Sequence, residues 1–129
     1  MAKSKKPKPT EAEMAILHVL WDQGSSTVRQ ILEQLQDQRG TGYTTTLKLM
    51  QIMHEKGLLR RDESGHAHIY TAAVTRQRTQ RQMVKQLLDQ AFDGSAQQLV
   101  MQALSAKKST PSELAEIRTL LDELERKSS

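Results

Sequence analysis

The stretch YTTTLKLMQIMHEKGLLRR, from Tyr43 to Arg61, decides the fold. Its apolar residues recur at helical spacing, which predicts a helix from about Thr44 to Lys56, and Gly57 is suited to end that helix. Beyond Gly57 the helical spacing stops, and the segment from Leu58 to Arg61 is predicted to begin a short hairpin. The stretch therefore predicts a helix with a polar outer face that is followed directly by a β-strand.

The hairpin is predicted to run as far as Ala72. Its turn is placed at Asp62–Gly65, because glycine is expected in a tight connection, and its second strand at His66–Ala72. On such a strand His66 and His68 would share one face, as two metal ligands do. The sequence positions no third ligand beside them, so neither a metal site nor a cofactor is predicted.

Two further helices precede the stretch. Thr10–Glu13 is a capping box that begins the first helix, and Gly24 is suited to end it. Thr27–Gln30 is a similar pattern at the start of the second helix, which is followed by a predicted loop at Asp37–Gly42. Three helices and a hairpin in this order are typical of a winged helix-turn-helix, which we place at residues 10–74.

Three amphipathic helices are predicted after the hairpin, at about 75–92, 95–105 and from Thr110 onward. They contain almost no aromatic residues, and a short chain buries a small fraction of its surface. A second copy of the chain is the simplest cover for their apolar faces, so residues 75–129 are predicted to form a helical dimerisation domain. The residues expected in the dimer contact are Met83, Leu87, Leu88, Phe92, Leu99, Leu114, Ile117, Leu121 and Leu124.

The composition excludes several classes of protein. The chain has 129 residues and no cysteine, which excludes disulfides, thiolate metal sites and cysteine catalysis. No run approaches the roughly 18 apolar residues of a membrane span, so we expect no membrane insertion, no secretory signal and a cytoplasmic location. No phosphate-binding glycine loop or nucleophile elbow is present, and no enzyme is predicted. The formal net charge of +4 is compatible with a polyanionic partner.

Two basic segments have more than one interpretation. Residues 1–9 contain four lysines among prolines and are predicted to be a disordered arm, either a solvated tail or a contact for phosphates. The second segment begins the fourth helix. It is either a solvated face, a flanking phosphate contact or a partner for acidic residues of the last helix in another subunit. Its members are Arg76, Arg78, Arg81 and Lys85.

The outer face of the third helix has the chemistry of a surface that reads DNA. Threonine hydroxyls bind phosphates, glutamine reads adenine, and lysine reaches guanine or a phosphate. Basic side chains on the hairpin would lie along the minor groove or the backbone. An ordinary solvated helix face is the alternative. The residues expected to contact DNA are Tyr43, Thr44, Thr45, Lys48, Gln51, Arg60, Arg61 and His66.

Several segments together resemble the penicillinase-repressor family of transcriptional regulators (BlaI, MecI and CopY). They are PTEAE at 9–13, LW at 20–21, YTT at 43–45, MHEKGLLRR at 53–61, and Tyr70. The resemblance covers about residues 8–127. It implies a winged-helix DNA-binding domain, a helical dimerisation domain, a dyad-symmetric operator and repression of nearby genes. It also implies that Tyr43–Met53 is the recognition helix and that Arg60–Tyr70 is the wing.

The resemblance also implies routes of regulation. Release in the penicillinase branch is proteolytic, which implies a membrane sensor protease as a partner, and the position that matches the cleaved bond is Gln102-Ala103. This bond departs from the Asn-Phe type of the family. The copper-responsive branch uses C-terminal cysteines, which this chain lacks. Lys48 stands where many relatives have threonine, which implies another operator preference, and His68 stands where many have an aromatic residue, which implies a differently packed wing.

The sequence therefore predicts a mainly α protein with a small β-hairpin wing that represses transcription. It is expected to bind double-stranded operator DNA sequence-specifically as a homodimer. The alternative is a winged-helix adaptor that binds proteins without sequence-specific DNA binding, because the same fold serves both roles. The outer-face chemistry of the third helix distinguishes the two hypotheses.

Overall fold

The computed structural model describes residues 8–39 and 42–128, and it confirms a mainly helical fold with one two-stranded hairpin. None of the helices in these ranges has the length and apolar character needed to cross a membrane. The predicted arm at residues 1–9 lies outside the described ranges except for its last two residues. The elements are α1 (Glu11–Gln23), α2 (Val28–Arg39), α3 (Tyr43–Glu55), β1 (Leu59–Asp62), β2 (Ile69–Ala72), α4 (Arg76–Ala91), α5 (Ala96–Ala106) and α6 (Pro111–Ser128).

The first two helices begin at the predicted caps. The Thr10 hydroxyl accepts a hydrogen bond from the Glu13 amide at 3.2 Å, and the Glu13 carboxylate accepts one from the Thr10 amide at 2.9 Å. Thr27 and Gln30 exchange the same two bonds at α2. Gly24 follows α1 with φ of 83°, a conformation that favours glycine. Local hydrogen bonding therefore fixes where α1 and α2 start and where α1 stops.

Two predicted boundaries are wrong. The loop expected from Asp37 begins later, because α2 continues to Arg39. The segment from Asp37 to Arg39 contains no glycine or proline that would break a helix. The second strand begins at Ile69 rather than His66, because the Asp62 carboxylate accepts bonds from both the amide and the hydroxyl of Ser64 and bends the chain away after β1. The connection between the strands is therefore longer than a tight turn.

The N-terminal unit, Met1–Val84, has a core made by α1, α2, α3 and the hairpin. The single buried aromatic side chain in the described core is Tyr70, which is fully buried in β2. Its backbone also exchanges two hydrogen bonds with Ser26, at 2.9 and 2.8 Å, so the segment before α2 joins the edge of the hairpin. The other large apolar side chains that are fully buried are Ile16, Leu17, Ile31, Met50, Met53 and Leu58.

The C-terminal unit, Lys85–Ser129, has no buried residue among its described positions 85–128. Two of its helices nevertheless have side-chain caps at their N-termini, since Ser95 caps α5, and Thr110 and Glu113 form a capping box at the start of α6. Several large apolar side chains keep more than a third of their surface exposed. They are Leu87, Val100, Met101, Leu104, Leu120, Leu121 and Leu124.

Candidate nucleic-acid interface

Helix α3 separates its apolar and polar residues onto opposite faces. Thr46, Met50 and Met53 are buried and attach the helix to the core. The outer face is accessible, as a surface that reads DNA must be. All of the α3 residues predicted to contact DNA are exposed, namely Tyr43, Thr44, Thr45, Lys48 and Gln51. Ile52 shares this side of the helix with an exposed fraction of 36% and was not among the predicted contacts.

The start of α3 differs from the starts of α1 and α2. Its N-cap is Gly42, which has no side chain that could accept a hydrogen bond from the first turn. Helix N-termini carry amides without an intrahelical partner and a partial positive charge. The end of α3 that bears Tyr43, Thr44 and Thr45 therefore presents backbone donors as well as side-chain hydroxyls.

One neighbour of this surface, Arg29, was not predicted from the sequence. The Arg29 guanidinium, from the first turn of α2, lies over the ring of Tyr43 at 5.4 Å from its centroid. Both side chains are exposed. A basic residue at the start of a helix is a weak sequence signal, and the packing of α2 against α3 was needed to place it beside Tyr43.

The wing contains two arginines with different surroundings. Arg60 is exposed, while Arg61 is partly buried and its Nε donates to the Glu63 carboxylate at 2.7 Å. The Tyr70 hydroxyl, and to a smaller extent Glu63, hold the pKa of Arg61 above its ordinary value. Arg61 thus has partners within the hairpin, and Arg60 presents its side chain to solvent. The predicted DNA contacts of both residues stay predictions.

His66 lies in the connection between the strands and is exposed, as a residue at the tip of a wing would be. His68 is also exposed and also precedes β2, so the premise that these two histidines share a strand face is wrong. Among the described residues no group of three His, Asp or Glu side chains is arranged to hold a metal ion.

An ion pair between a buried carboxylate and a partly exposed lysine holds the far end of α3. Lys56, which directly follows α3, donates from Nζ to Glu13 Oε2 at 2.8 Å, and Glu13 is only 2% exposed. Glu13 therefore caps α1 and also anchors α3, and the second role left no signal in the sequence. Because this contact and the buried Met50 and Met53 fix the helix, its outer face has a defined direction.

The start of α4 is attached to α1 within the N-terminal unit. Trp21 Nε1 donates to the Val74 carbonyl at 2.9 Å, the Arg76 guanidinium lies over the Trp21 ring, and Arg76 pairs with Asp22 at 2.6 Å. Arg76 is therefore an internal partner of α1. The other members of the basic run, Arg78, Arg81 and Lys85, are exposed.

The predicted dimer-contact residues lie on α4, α5 and α6, except Phe92, which directly follows α4, and none is buried. Leu87, Leu121 and Leu124 have exposed fractions of 44%, 51% and 51%. The predicted cleavage position, Gln102-Ala103, lies inside α5 with both side chains exposed. Both assignments stay predictions. The partly buried members of the dimer set are Met83, Leu88, Phe92, Leu99, Leu114 and Ile117.

Two relatives are similar to this protein over nearly the whole length of the chain. The chain is 19% identical over 116 residues to the penicillinase repressor of Staphylococcus aureus, and the alignment covers 90% of this chain and 92% of that protein. It is 20% identical over 113 residues to the methicillin resistance regulatory protein MecI of Mammaliicoccus sciuri, covering 88% and 92%. These relatives match both units and not the N-terminal unit alone.

The fold is also similar to a solved structure. The solution structure of the DNA-binding domain of the repressor BlaI aligns with a TM-score of 0.51 and 20% identity, over 57% of this chain and 90% of that domain. This similarity confirms the winged-helix fold. The family model for the penicillinase repressor matches residues 9–123. Because that match spans most of the sequence, the chain belongs to the penicillinase-repressor family.

Proposed function

We propose that this protein is a transcriptional repressor that binds a dyad-symmetric operator as a homodimer. The observation that carries the proposal is the exposed polar face of α3, fixed to a winged-helix core and placed next to the basic wing. Membership of a family of repressors supports it. A helix of this kind fits the major groove of DNA, and the wing follows the adjacent backbone or minor groove.

The contacts divide into two kinds. Tyr43, Thr44 and the wing residues Arg60, Arg61 and His66 would hold phosphates, which position the protein without reading sequence. Base edges would be read by the middle of the helix. Thr45 can pack its methyl group on thymine, Lys48 can reach guanine, and Gln51 can bond adenine. The predicted specificity residues are therefore Thr45, Lys48 and Gln51.

The homodimer is proposed because the C-terminal unit exposes apolar side chains along three helices. Leu121 and Leu124 on α6 are each about half exposed, and no residue of 85–128 forms a buried core. Fully burying a leucine stabilises by about 1.5–3 kcal/mol, so two copies of such a surface gain substantially by pairing. A two-fold axis would then place two copies of α3 on two half-sites of the operator.

Release by proteolysis at Gln102-Ala103, through a membrane sensor protease, completes the proposal. The bond lies within α5, so a protease must first open this helix locally. The cut would separate part of the proposed dimerisation unit from the DNA-binding unit. Mass spectrometry of the protein from induced cells would identify the cleaved bond, and an intact chain after induction would contradict this route.

The test of DNA binding is a comparison of operator and random duplexes. Genomic fragments selected by the protein would supply the operator, and fluorescence anisotropy would measure both affinities over a range of salt concentrations. We expect tight, steeply salt-dependent binding to the operator. Lys48→Ala should reduce the ratio of operator to random affinity by roughly tenfold, since a good base contact contributes about 1–3 kcal/mol to discrimination. Weak retention that ignores sequence would instead indicate a protein-interaction adaptor.

The dimer has a separate test. Sedimentation equilibrium at micromolar concentration should give twice the mass of one chain. A folded monomer at that concentration would contradict the dimer while leaving DNA binding by the N-terminal unit open to the first experiment.

A further inference from the structure

We infer that Arg29 is a further DNA-contacting residue, which binds a backbone phosphate while the ring of Tyr43 holds its guanidinium in place. The inference rests on the proposed function of α3 as the recognition helix. Arg29 belongs to the preceding helix, so it extends the proposed interface beyond the elements that the sequence indicated.

The geometry places a cation at the edge of the proposed DNA surface. The guanidinium carbon of Arg29 is 5.4 Å from the centroid of the Tyr43 ring, within the range of a cation–π contact. Tyr43 is the first residue of α3 and is 44% exposed, and Arg29 is exposed as well. Both groups are therefore accessible from outside the molecule at the N-terminal end of α3.

The charge of Arg29 has no internal compensation in the described part of the chain. It lies in the first turn of α2, which contains no acidic residue, and a cation is unfavourable at the positive end of a helix. Three other cations have a carboxylate partner, since Lys56 pairs with Glu13, Arg61 with Glu63 and Arg76 with Asp22. An anion from outside the chain would therefore supply the negative partner that no carboxylate of the described residues gives Arg29.

A phosphate suits this position better than a base edge. In helix-turn-helix proteins the helix before the recognition helix crosses the DNA backbone, and α2 is that helix here. A guanidinium binds phosphate through a planar fork of donors and also stacks on aromatic rings. With its guanidinium already resting on Tyr43, Arg29 loses less side-chain freedom when it binds. The Tyr43 ring thus acts as a platform for the contact.

The test uses Arg29→Gln in the full-length protein, with operator and random-sequence duplexes of equal length as probes. Counterion release from one phosphate accounts for about 0.9 in the slope of log affinity against log salt, which is roughly eightfold in affinity at 0.1 M salt. Each Arg29 that binds a phosphate should contribute this slope and this factor in affinity. A dimer on two half-sites has two such residues, so Arg29→Gln removes both contributions. We expect operator and random affinity to fall by the same factor, because phosphate contacts carry no sequence information.

The matched control is Arg118→Gln, which removes the same charge from an exposed position on α6. It should leave affinity and salt slope unchanged. Arg29→Lys retains the charge and should retain most of the slope. Circular dichroism should give the same thermal midpoint for these variants, because Arg29 and Arg118 are both exposed.

A pair of variants tests the platform. Tyr43→Phe retains the ring and Tyr43→Leu removes it, so Arg29→Gln should have a smaller effect on affinity in the Tyr43→Leu background than in the Tyr43→Phe background. Equal effects in the two backgrounds would overturn the platform.

The phosphate contact has its own contrary results. Unchanged affinity and slope in Arg29→Gln would overturn it, and a loss confined to the operator would show that Arg29 reads a base. If the wild-type protein lacks salt-dependent DNA binding, the proposed function fails and this inference fails with it. If the wild-type protein shows salt-dependent DNA binding and Arg29→Gln has no effect on it, this inference fails and the proposed function remains.

Discussion

The two units of the chain differ in how they are stabilised. In the N-terminal unit, Ile16, Leu17, Ile31 and Tyr70 are fully buried, whereas no residue of 85–128 in the C-terminal unit is buried. Both contain two helices that begin at a side-chain cap, α1 and α2 in one unit and α5 and α6 in the other, so local helix signals do not account for the difference. The N-terminal unit has a core of its own, and the C-terminal unit has amphipathic helices whose apolar faces remain in contact with solvent.

This contrast is consistent with different roles for the two units in the proposed repressor. A surface that reads DNA needs side chains at fixed positions, and a close-packed core supplies that rigidity. An apolar surface that is exposed in one chain is instead suited to bind another. Single substitutions can therefore change one unit and leave the other unchanged.

The largest effect is expected from the core of the N-terminal unit. Tyr70→Ala would remove its fully buried aromatic side chain, and replacing such a residue by alanine costs about 3–5 kcal/mol. Urea unfolding followed by Trp21 fluorescence would measure the loss. The neighbouring Ile69→Ala is the control, since Ile69 is 38% exposed and its truncation should cost about 1 kcal/mol or less. Equal losses would show that Tyr70 is not a central core residue.

The next effect concerns the C-terminal unit. Leu121→Ala should weaken the proposed dimer by about 2 kcal/mol, or roughly thirtyfold in the dissociation constant, because each of two chains loses about 1 kcal/mol of apolar burial. The urea midpoint of the N-terminal unit should stay unchanged. Analytical ultracentrifugation measures the dissociation constant, and Glu116→Gln, an exposed change on the same helix, is the control. An unchanged dissociation constant would exclude Leu121 from the interface.

A third variant acts on the ion pair that anchors α3. Glu13→Gln retains an oxygen that can accept from the Thr10 amide but leaves Lys56 without its carboxylate partner. Glu13 is 2% exposed and Lys56 is partly exposed, so we expect a loss of about 1–2 kcal/mol in the free energy of unfolding. Thermal unfolding measures it, with Glu33→Gln, an exposed change on α2, as the control. A loss no larger than that of the control would mean that the pair contributes little.

The sequence was sufficient for features that depend on near neighbours. The capping boxes at Thr10 and Thr27 and the buried face of α3 follow from hydrogen bonds and spacings within four residues. The exposure of the predicted DNA face follows from the same spacing. Such features depend on neighbouring residues and do not require contacts with distant parts of the chain.

The features that the sequence did not predict join distant parts of the chain. Ser26 bonds to the backbone of Tyr70, Glu13 pairs with Lys56, and Arg29 lies over Tyr43. Each depends on how whole helices pack, which no local pattern encodes. The strand assigned to His66 was wrong for a related reason, since the bonds from Ser64 to Asp62 compete with strand pairing.

The smallest effect is expected at the start of α4. Trp21→Phe retains a ring beneath Arg76 but removes the Nε1 donor of the bond to the Val74 carbonyl, and such a bond contributes about 1 kcal/mol. Hydrogen exchange should become faster in the first turn of α4 and stay unchanged in α5 and α6, because the anchor belongs to the N-terminal unit. Asp22→Asn, which weakens only the pairing with Arg76, should have a smaller effect. If exchange in α4 is unchanged in Trp21→Phe, the bond from Trp21 does not hold the first turn of α4, and the burial of Thr79, which is 3% exposed, is enough.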